Sequence, residues 1–379
     1  MKTYKGLLTL AAVTAFCAPA QAGLATDYTN FKNQLNKNYG FDYNLNYSLM
    51  PQRTSPSGDH TALQSLFAPQ FAWTTFNNEY GTGTLNASYY SVFYGKSEAS
   101  DLQNNSGMVS SINDFDEDEQ EFSGLYYTYQ LPAKYNWMTI GAGQYSLYQF
   151  DGTDYNSNQQ VNFLNYALSQ NASATYADAG LGAYVQLTPG NWSITAGAQD
   201  ATNIEAPSIR FNHLKDKHYA TFGQIGYNPH ICHLGDGQYS VMVYQQPYVK
   251  QQPDSTFGWS VNMQQNIGEK FALFGRVNGV NGHVAEIERS YVLGGVVNNP
   301  LERNALDQIG LAYAYNSIDE KAVGESIDHS GEQVIETYWA WGIGKWATLT
   351  PDFQFYIHPA LNRKSDYGTA TSLRLTLFF

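Results

Sequence analysis

Apolar and polar residues alternate strictly along residues 39–49, which read YGFDYNLNYSL. Successive side chains of a β-strand point to opposite faces, so one face of this segment is aromatic or aliphatic and the other is polar or small. Similar alternation recurs along the chain in windows close to the roughly 9–11 residues that a tilted membrane strand needs. The pattern predicts half-buried strands, which occur both in soluble sandwiches and in membrane barrels.

The windows predict sixteen strands, and the links between them alternate between short and long. They lie at 39–49, 66–76, 84–93, 122–131, 136–143, 179–187, 191–198, 219–227, 238–246, 257–266, 270–278, 290–297, 307–315, 333–343, 349–358 and 369–379. Links after even-numbered windows are short, whereas most links after odd-numbered windows are longer. Bacterial outer-membrane barrels combine short periplasmic turns with long extracellular loops and an even number of antiparallel strands.

We therefore expect an all-β fold, a closed transmembrane antiparallel β-barrel of about 16 strands with short periplasmic turns and long extracellular loops. A tandem sandwich or a solenoid would not explain the ordered alternation of link lengths. A mean hydropathy of −0.41 fits a barrel, because only every second residue of each strand meets lipid. After the N-terminal segment, no apolar run approaches the roughly 18 residues of a membrane helix.

The N-terminus has the layout of a cleaved secretory signal. Lys2 and Lys5 precede the apolar stretch GLLTLAAVTAFCAPA, and Ala20-Gln21-Ala22 forms a small-residue cleavage site. We expect residues 1–22 to be a signal peptide and residues 23–379 to form a single transmembrane barrel domain. Cys232 is then the one remaining thiol, so no internal disulfide is expected.

The last third of the chain resembles the carbohydrate-selective outer-membrane porin family (OprB-like). The resemblance is carried by LDQIGLAYAYN, by ETYWAWGIGKWATLTPDFQFYIHPALN and by the closing strand TSLRLTLFF with its terminal phenylalanine. Glu336 and the TPD-Q segment stand at family positions, and His358 replaces the more usual asparagine of an NPA-N loop. The resemblance implies a sixteen-stranded barrel that passes sugars by facilitated diffusion.

Four charged residues within the predicted strands are candidates for the pore wall. A charge on the lipid face costs about 2–4 kcal/mol near the midplane, so these side chains should face the lumen. Arginine and carboxylates would offer planar hydrogen bonding to sugar hydroxyls, beside the aromatic faces of a tyrosine-rich wall. Alternatively, they form a salt-bridge ladder that only braces the wall. The four residues are Arg276, Glu336, Asp352 and Arg374.

The longest link, residues 144–178, is predicted to fold into the lumen and constrict it. Its segment VNFLNYALSQNA favours a short helix, and Tyr145, Tyr148, Asp151, Asp154 and Tyr155 would face the pore. We assign a solute-binding role to Tyr148, Asp151 and Tyr155. The alternative is an outer loop that stays exposed above the rim.

Other clusters of reactive side chains are weaker candidates. His230, Cys232 and His233 lack the paired ligand sets of a zinc motif, so we expect no metal site there. The run DFDEDEQE at 114–121 carries six carboxylates, which could bind divalent cations weakly, but it is more typical of a solvated external loop. The chain shows no nucleophile elbow and no phosphate-binding glycine loop, so we predict neither an enzyme nor a cofactor.

Net charge narrows the class of partner. The chain carries 33 acidic against 20 Lys and Arg residues, a net charge of −13 that becomes −15 once Lys2 and Lys5 are removed. We expect no nucleic-acid partner and a lumen that disfavours anions. The expected partners are small neutral solutes such as sugars, together with outer-membrane lipid and lipopolysaccharide, and the protein is a monomer or a homotrimer. A cation-preferring diffusion pore and a structural or adhesive barrel with a closed lumen remain alternatives.

Overall fold

In the computed structural model, residues 21–56, 60–204, 207–252 and 254–379 are described, with side chains from residue 27. The expected signal peptide lies outside the described residues up to residue 20. Sixteen strands form the barrel: β1 Phe41–Ser55, β2 Ala62–Asn78, β3 Gly81–Tyr94, β4 Glu119–Gln130, β5 Met138–Tyr145, β6 Gly180–Leu187, β7 Trp192–Asp200, β8 Tyr219–Tyr227, β9 Gly235–Gln246, β10 Thr256–Ile267, β11 Phe271–Val280, β12 Ile287–Asn298, β13 Gln308–Ile318, β14 Gly331–Ile343, β15 Ala347–Ile357 and β16 Tyr367–Phe378.

The sheet closes because β1 pairs with β16 as well as with β2. The closing register runs from Asn46 opposite Phe378 to Ser55 opposite Thr369. Consecutive strands pair antiparallel around the whole ring. Closure leaves no strand edge unpaired, which is what a sheet in lipid requires. The predicted fold class is confirmed, and each of the sixteen predicted windows overlaps one strand.

Side chains alternate between a lipid-facing surface and a filled interior. In β16, Arg374 is 1% exposed while its neighbour Leu373 is 44% exposed. Five tryptophans are exposed on the outer surface, four of them in strands, at Trp73, Trp192, Trp339 and Trp341, and one, Trp137, next to β5. Amphipathic rings of this kind suit the two membrane interfaces.

The described part of the chain has four α-helices besides the barrel strands: α1 Gln21–Tyr39, α2 Ala99–Ser106, α3 Tyr166–Ser169 and α4 Glu320–Val323. Among the described residues, none of the helices has the length and apolarity needed to cross a membrane. Helix α1 was not anticipated, and it includes Tyr39, which was predicted to begin the first strand. Gly40 ends α1 with a φ of +68°, and a Cβ there would lie 2.5 Å from the Thr74 carbonyl oxygen, so β1 begins only at Phe41.

Candidate functional site

The loop between β5 and β6, residues 146–179, lies inside the barrel, and we call it the inserted loop. Most of its residues are buried. Most of its hydrogen bonds to the wall involve the strands from β9 to β16. For example, the Tyr244 hydroxyl on β9 donates to the Ser173 carbonyl oxygen at 3.1 Å, and the Thr376 hydroxyl on β16 donates to the Gln160 carbonyl oxygen at 2.9 Å. The loop is therefore pressed against one side of the lumen.

Arg374 lies beneath the inserted loop and donates to its backbone. Its Nη1 donates to the carbonyl oxygen of Gln159, and its Nη2 donates to that of Asn162 at 3.0 Å. Arginine presents planar donors in a fixed fork, which suits two carbonyl acceptors a few residues apart. Both outer nitrogens of this predicted wall residue are thus occupied by the loop.

Glu336 holds the same loop from β14. Its two carboxylate oxygens accept from the backbone N–H groups of Leu164, at 2.5 Å, and Asn165, at 2.9 Å. Asn165 caps α3, since its side chain also accepts from the Ala167 N–H at 3.1 Å. Asp352, on β15, is buried and faces the same interior. The positive charge of Arg374 interacts with both carboxylates and offsets part of their burial cost.

Asp151 and Arg276 form a second anchor, on the β10 and β11 wall. Asp151 is fully buried and accepts from Ser260, at 2.5 Å, and from Asn262 Nδ2, at 2.8 Å. Arg276 donates from Nε to Asn262 Oδ1 and from Nη2 to the Asn156 carbonyl oxygen, each at 2.8 Å. A loop carboxylate therefore binds wall donors while a wall guanidinium binds a loop carbonyl.

The two predicted tyrosines of the inserted loop have different surroundings. Tyr148 lines an open cavity on the β1–β4 side of the lumen, and its hydroxyl lies 3.0 Å from the hydroxyl of Tyr166. Tyr155 instead accepts a hydrogen bond from Asn298 Nδ2 on β12, at 2.7 Å. Of the seven predicted solute-binding residues, only Tyr148 belongs to the cavity lining. Five of the other six join the inserted loop to the wall by hydrogen bonds, whereas Asp352 is buried beside them and interacts with the charge of Arg374.

A second loop, residues 95–118 between β3 and β4, also turns inward, and we call it the mouth loop. Glu332 on β14 accepts from its backbone N–H groups at Val109, 2.9 Å, and Ser110, 2.7 Å. Glu332 also accepts from Ala360 N–H at 3.1 Å, so one carboxylate joins two extracellular loops. Glu332 was not predicted as a functional residue, because it lies just before the predicted strand window 333–343; its spacing of four residues from Glu336 was the available signal.

The two loops leave a cavity of about 860 Å³ along the β1–β4 side of the lumen. Its lining runs from Asp42 at the periplasmic end of β1 to Glu119 at the extracellular end of β4. The open space therefore extends along most of the wall. Its lining includes tyrosine rings and side-chain amides, among them Tyr90, Tyr126, Asn86, Gln70 and Gln238.

Carboxylates dominate the charge of this cavity. Among the described residues, the lining contains seven acidic side chains and no lysine, arginine or histidine: Asp42, Asp114, Asp116, Glu119, Glu121, Asp154 and Asp178. One oxygen from each of Glu119, Glu121 and Asp178 lies within 4.8 Å of the others. The acidic run 114–121 was predicted to be a solvated external loop, and this is wrong for its cavity-lining members, because the mouth loop folds inward with Asp114 and Asp116, and Glu119 and Glu121 belong to β4 and face the lumen.

Asp114 titrates near neutral pH. Burial raises the pKa of its carboxyl to about 7, although Gln170 Nε2, which donates to it at 3.1 Å, favours the charged form. The neighbouring carboxylate of Asp116 raises it further. The charge of the cavity therefore changes within the physiological range of pH.

A closed sixteen-stranded barrel with polar loops folded into its lumen and a polar passage beside them defines a porin, a channel of the outer membrane. The chain from residue 72 to residue 379 matches the model of the carbohydrate-selective porin, OprB family. The chain belongs to this family.

Relatives and solved structures agree with this membership. A porin named AaxA from Chlamydia felis is 37% identical over 353 residues, which cover 90% of this chain and 78% of the relative. Porin AaxA from Chlamydia pneumoniae is 36% identical over 374 residues, covering 96% and 84%. The high-pH structure of Pseudomonas putida OprB aligns with a TM-score of 0.75 over 93% of this chain and 97% of that one, at 14% identity, and shows the shared fold.

Proposed function

We propose that this porin passes small neutral solutes and cations by passive or facilitated diffusion and disfavours anions. The observation that carries the proposal is the cavity, whose described lining has seven acidic side chains and no basic one. At a separation of about 5 Å in water, one carboxylate attracts a monovalent cation by about 0.8 kcal/mol, roughly a fourfold enrichment. Anions are depleted by the same factor, and added salt weakens both effects.

Carbohydrates are the neutral class that we propose. The family to which the chain belongs is described as carbohydrate-selective, and the lining offers the chemistry that sugars need. Tyrosine rings can pack on the apolar faces of a sugar, while amides and carboxylates hydrogen-bond to its hydroxyls. Five of the predicted residues support this role indirectly, by holding the inserted loop in place: Arg276, Glu336, Arg374, Asp151 and Tyr155. Asp352 contributes through its charge interaction with Arg374.

Single-channel recording in planar bilayers tests both proposals. Asp114→Asn/Asp178→Asn should lower the cation-to-anion permeability ratio severalfold at low salt, because it removes two cavity charges. The matched control Glu320→Gln/Glu325→Gln removes two exposed charges of the β13–β14 loop and should leave the ratio unchanged. Equal effects of the two double variants would contradict cavity-based selection.

Sugar passage is a separate measurement on the same channels. We expect neutral mono- and disaccharides to reduce the current reversibly. Cation preference without any sugar block would instead support the alternative of a general cation-preferring pore. A lack of conductance would support the closed structural barrel. We also propose that residues 1–22 are removed on export, and the mass of the outer-membrane form would show a loss of 22 residues.

A further inference from the structure

Residues 207–218 of the extracellular link between β7 and β8 include a segment that lies against the outside of the barrel. Within it, residues Phe211–Asp216 form a 3₁₀-helix. The Tyr219 hydroxyl on β8 donates to the Leu214 carbonyl oxygen at 2.7 Å, and the His213 Nδ1 lies 2.7 Å from the Thr202 hydroxyl. These contacts hold the helix against the wall.

An apolar groove of about 510 Å³ lies between this helix and the strands. Two apolar residues of one helix face, Phe211 and Leu214, line one side of it. Leu181, Ala183 and Ala198 of the barrel wall line the other side. Residues three apart in a 3₁₀-helix share a face, which explains why Phe211 and Leu214 both face the groove. The volume falls within the roughly 300–1,000 Å³ of ligand sites.

The groove faces lipid rather than the lumen. Ala183 pairs with Ala198 across the β6–β7 ladder, while the next residue, Tyr184, belongs to the interior aromatic cluster with Tyr145. Alternation along β6 therefore places Ala183 on the outer surface. Phe211 is 71% exposed and can pack against an apolar chain that enters from the membrane.

Basic side chains surround the same helix in an otherwise acidic protein. Residues 207–218 carry a net charge of +2 with histidines neutral, whereas the whole chain carries −13. Arg210, Lys215 and Lys217 are exposed. The one acidic residue in 207–218 is Asp216. At about 2 Å of rise per residue, residues 210 to 217 span roughly 14 Å along the helix.

We propose that this surface binds lipopolysaccharide of the outer leaflet. Arg210, Lys215 and Lys217 hold the phosphate groups of the glycolipid, and one acyl chain lies in the groove beneath Phe211 and Leu214. Guanidinium and ammonium groups are the usual partners of phosphate, and the extracellular end of β7 and β8 is the level at which such headgroups lie. Charge and apolar surface thus match the two halves of one amphipathic ligand.

The test measures binding of purified bisphosphorylated lipopolysaccharide to the detergent-solubilised full-length porin, by native mass spectrometry and by titration. We expect Arg210→Gln/Lys215→Gln/Lys217→Gln to weaken binding about a hundredfold, taking roughly fivefold for each basic residue. The control changes three exposed lysines elsewhere, Lys96, Lys134 and Lys345, to glutamine and should retain wild-type affinity. Equal affinity of the two triple variants would overturn the proposal.

The wild-type protein supplies a second test that does not depend on folding of any variant. Dephosphorylated lipopolysaccharide should bind at least tenfold more weakly than the intact glycolipid, and inorganic phosphate should compete only at far higher concentration. Undiminished binding of the dephosphorylated form would exclude phosphate recognition. Competition by inorganic phosphate at the same concentration as lipopolysaccharide would identify a free-phosphate site and overturn the lipid assignment.

Discussion

Replacement of Arg374 by glutamine should loosen the inserted loop rather than remove a contact with solute. The guanidinium is buried, and its two outer nitrogens donate to the carbonyl oxygens of Gln159 and Asn162. Glutamine is shorter, uncharged and able to satisfy at most one of these acceptors well. The change also removes the positive charge that interacts with Asp352 and Glu336.

The magnitude follows from the two lost hydrogen bonds. Hydrogen bonds to a charged group contribute about 1.5–3 kcal/mol each, so the two contribute about 3–6 kcal/mol to holding the segment. One neutral hydrogen bond from glutamine returns about 1 kcal/mol, which leaves a loss of about 2–5 kcal/mol. Since about 1.4 kcal/mol is a factor of ten, opening of this segment should become at least thirtyfold more frequent.

Hydrogen exchange at the Leu164 and Asn165 amides is the direct assay, because these groups donate to Glu336 in the same segment. Their exchange should accelerate by at least thirtyfold in Arg374→Gln, and open-channel current noise should rise. Arg374→Lys, which keeps the charge but loses the planar fork, should give an intermediate effect.

Arg289→Gln is the matched control, since that arginine is exposed on β12 and should change neither quantity. Unchanged exchange in Arg374→Gln together with a reduced sugar block of the current would refute the anchoring role and would make Arg374 a solute contact.

Three further predictions concern pH, lipid contact and topology. Asp114 is uncharged below and charged above a pKa of about 7, so the cation-to-anion permeability ratio should rise between about pH 6 and pH 8, and Asp114→Asn should flatten that rise. Leu293, 66% exposed on the outer surface, should lose about 2–4 kcal/mol of unfolding free energy on change to arginine if it lies near the midplane, whereas Asn86→Arg in the cavity should cost far less; equal losses would mean that the assigned faces are wrong. In a cysteine-free background, a membrane-impermeant thiol reagent on intact cells should modify a cysteine at residue 105 but not one at residue 189, and the reverse result would invert the topology.

The inserted loop shows where prediction from sequence succeeded and where it stopped. Inward phase was correctly expected for Arg374 and Glu336, because a strand alternates its faces with a period of two. What those side chains touch was not predictable, since their partners are backbone groups of residues 159–165, more than 160 positions away. Backbone donors and acceptors leave no mark in residue identity, so the sequence offered solute binding and bracing as equal alternatives.

The acidic lining of the cavity was also not predictable from sequence, because residues expected to lie outside the barrel face its lumen. The run 114–121 has the composition of a solvated loop, and composition carries no information about which way a loop folds. Its inward course is held by long-range contacts with the wall, among them the Glu332 carboxylate, which accepts from the backbone N–H groups of Val109 and Ser110. Contacts of this kind bring Asp114 to the lumen, while Glu121 faces the lumen from β4, beside Asp178.

The sequence by itself determined the architecture: sixteen strands, their faces, the order of short and long links, and the family. Each of these features is local and periodic, because it is imposed by alternation within a strand and by the lengths of its neighbouring links. The tertiary structure alone decided how the lumen is divided, which charges fasten the inserted loop and which line the passage. Those properties depend on two long loops meeting a distant wall, where closure of the barrel sets the distances.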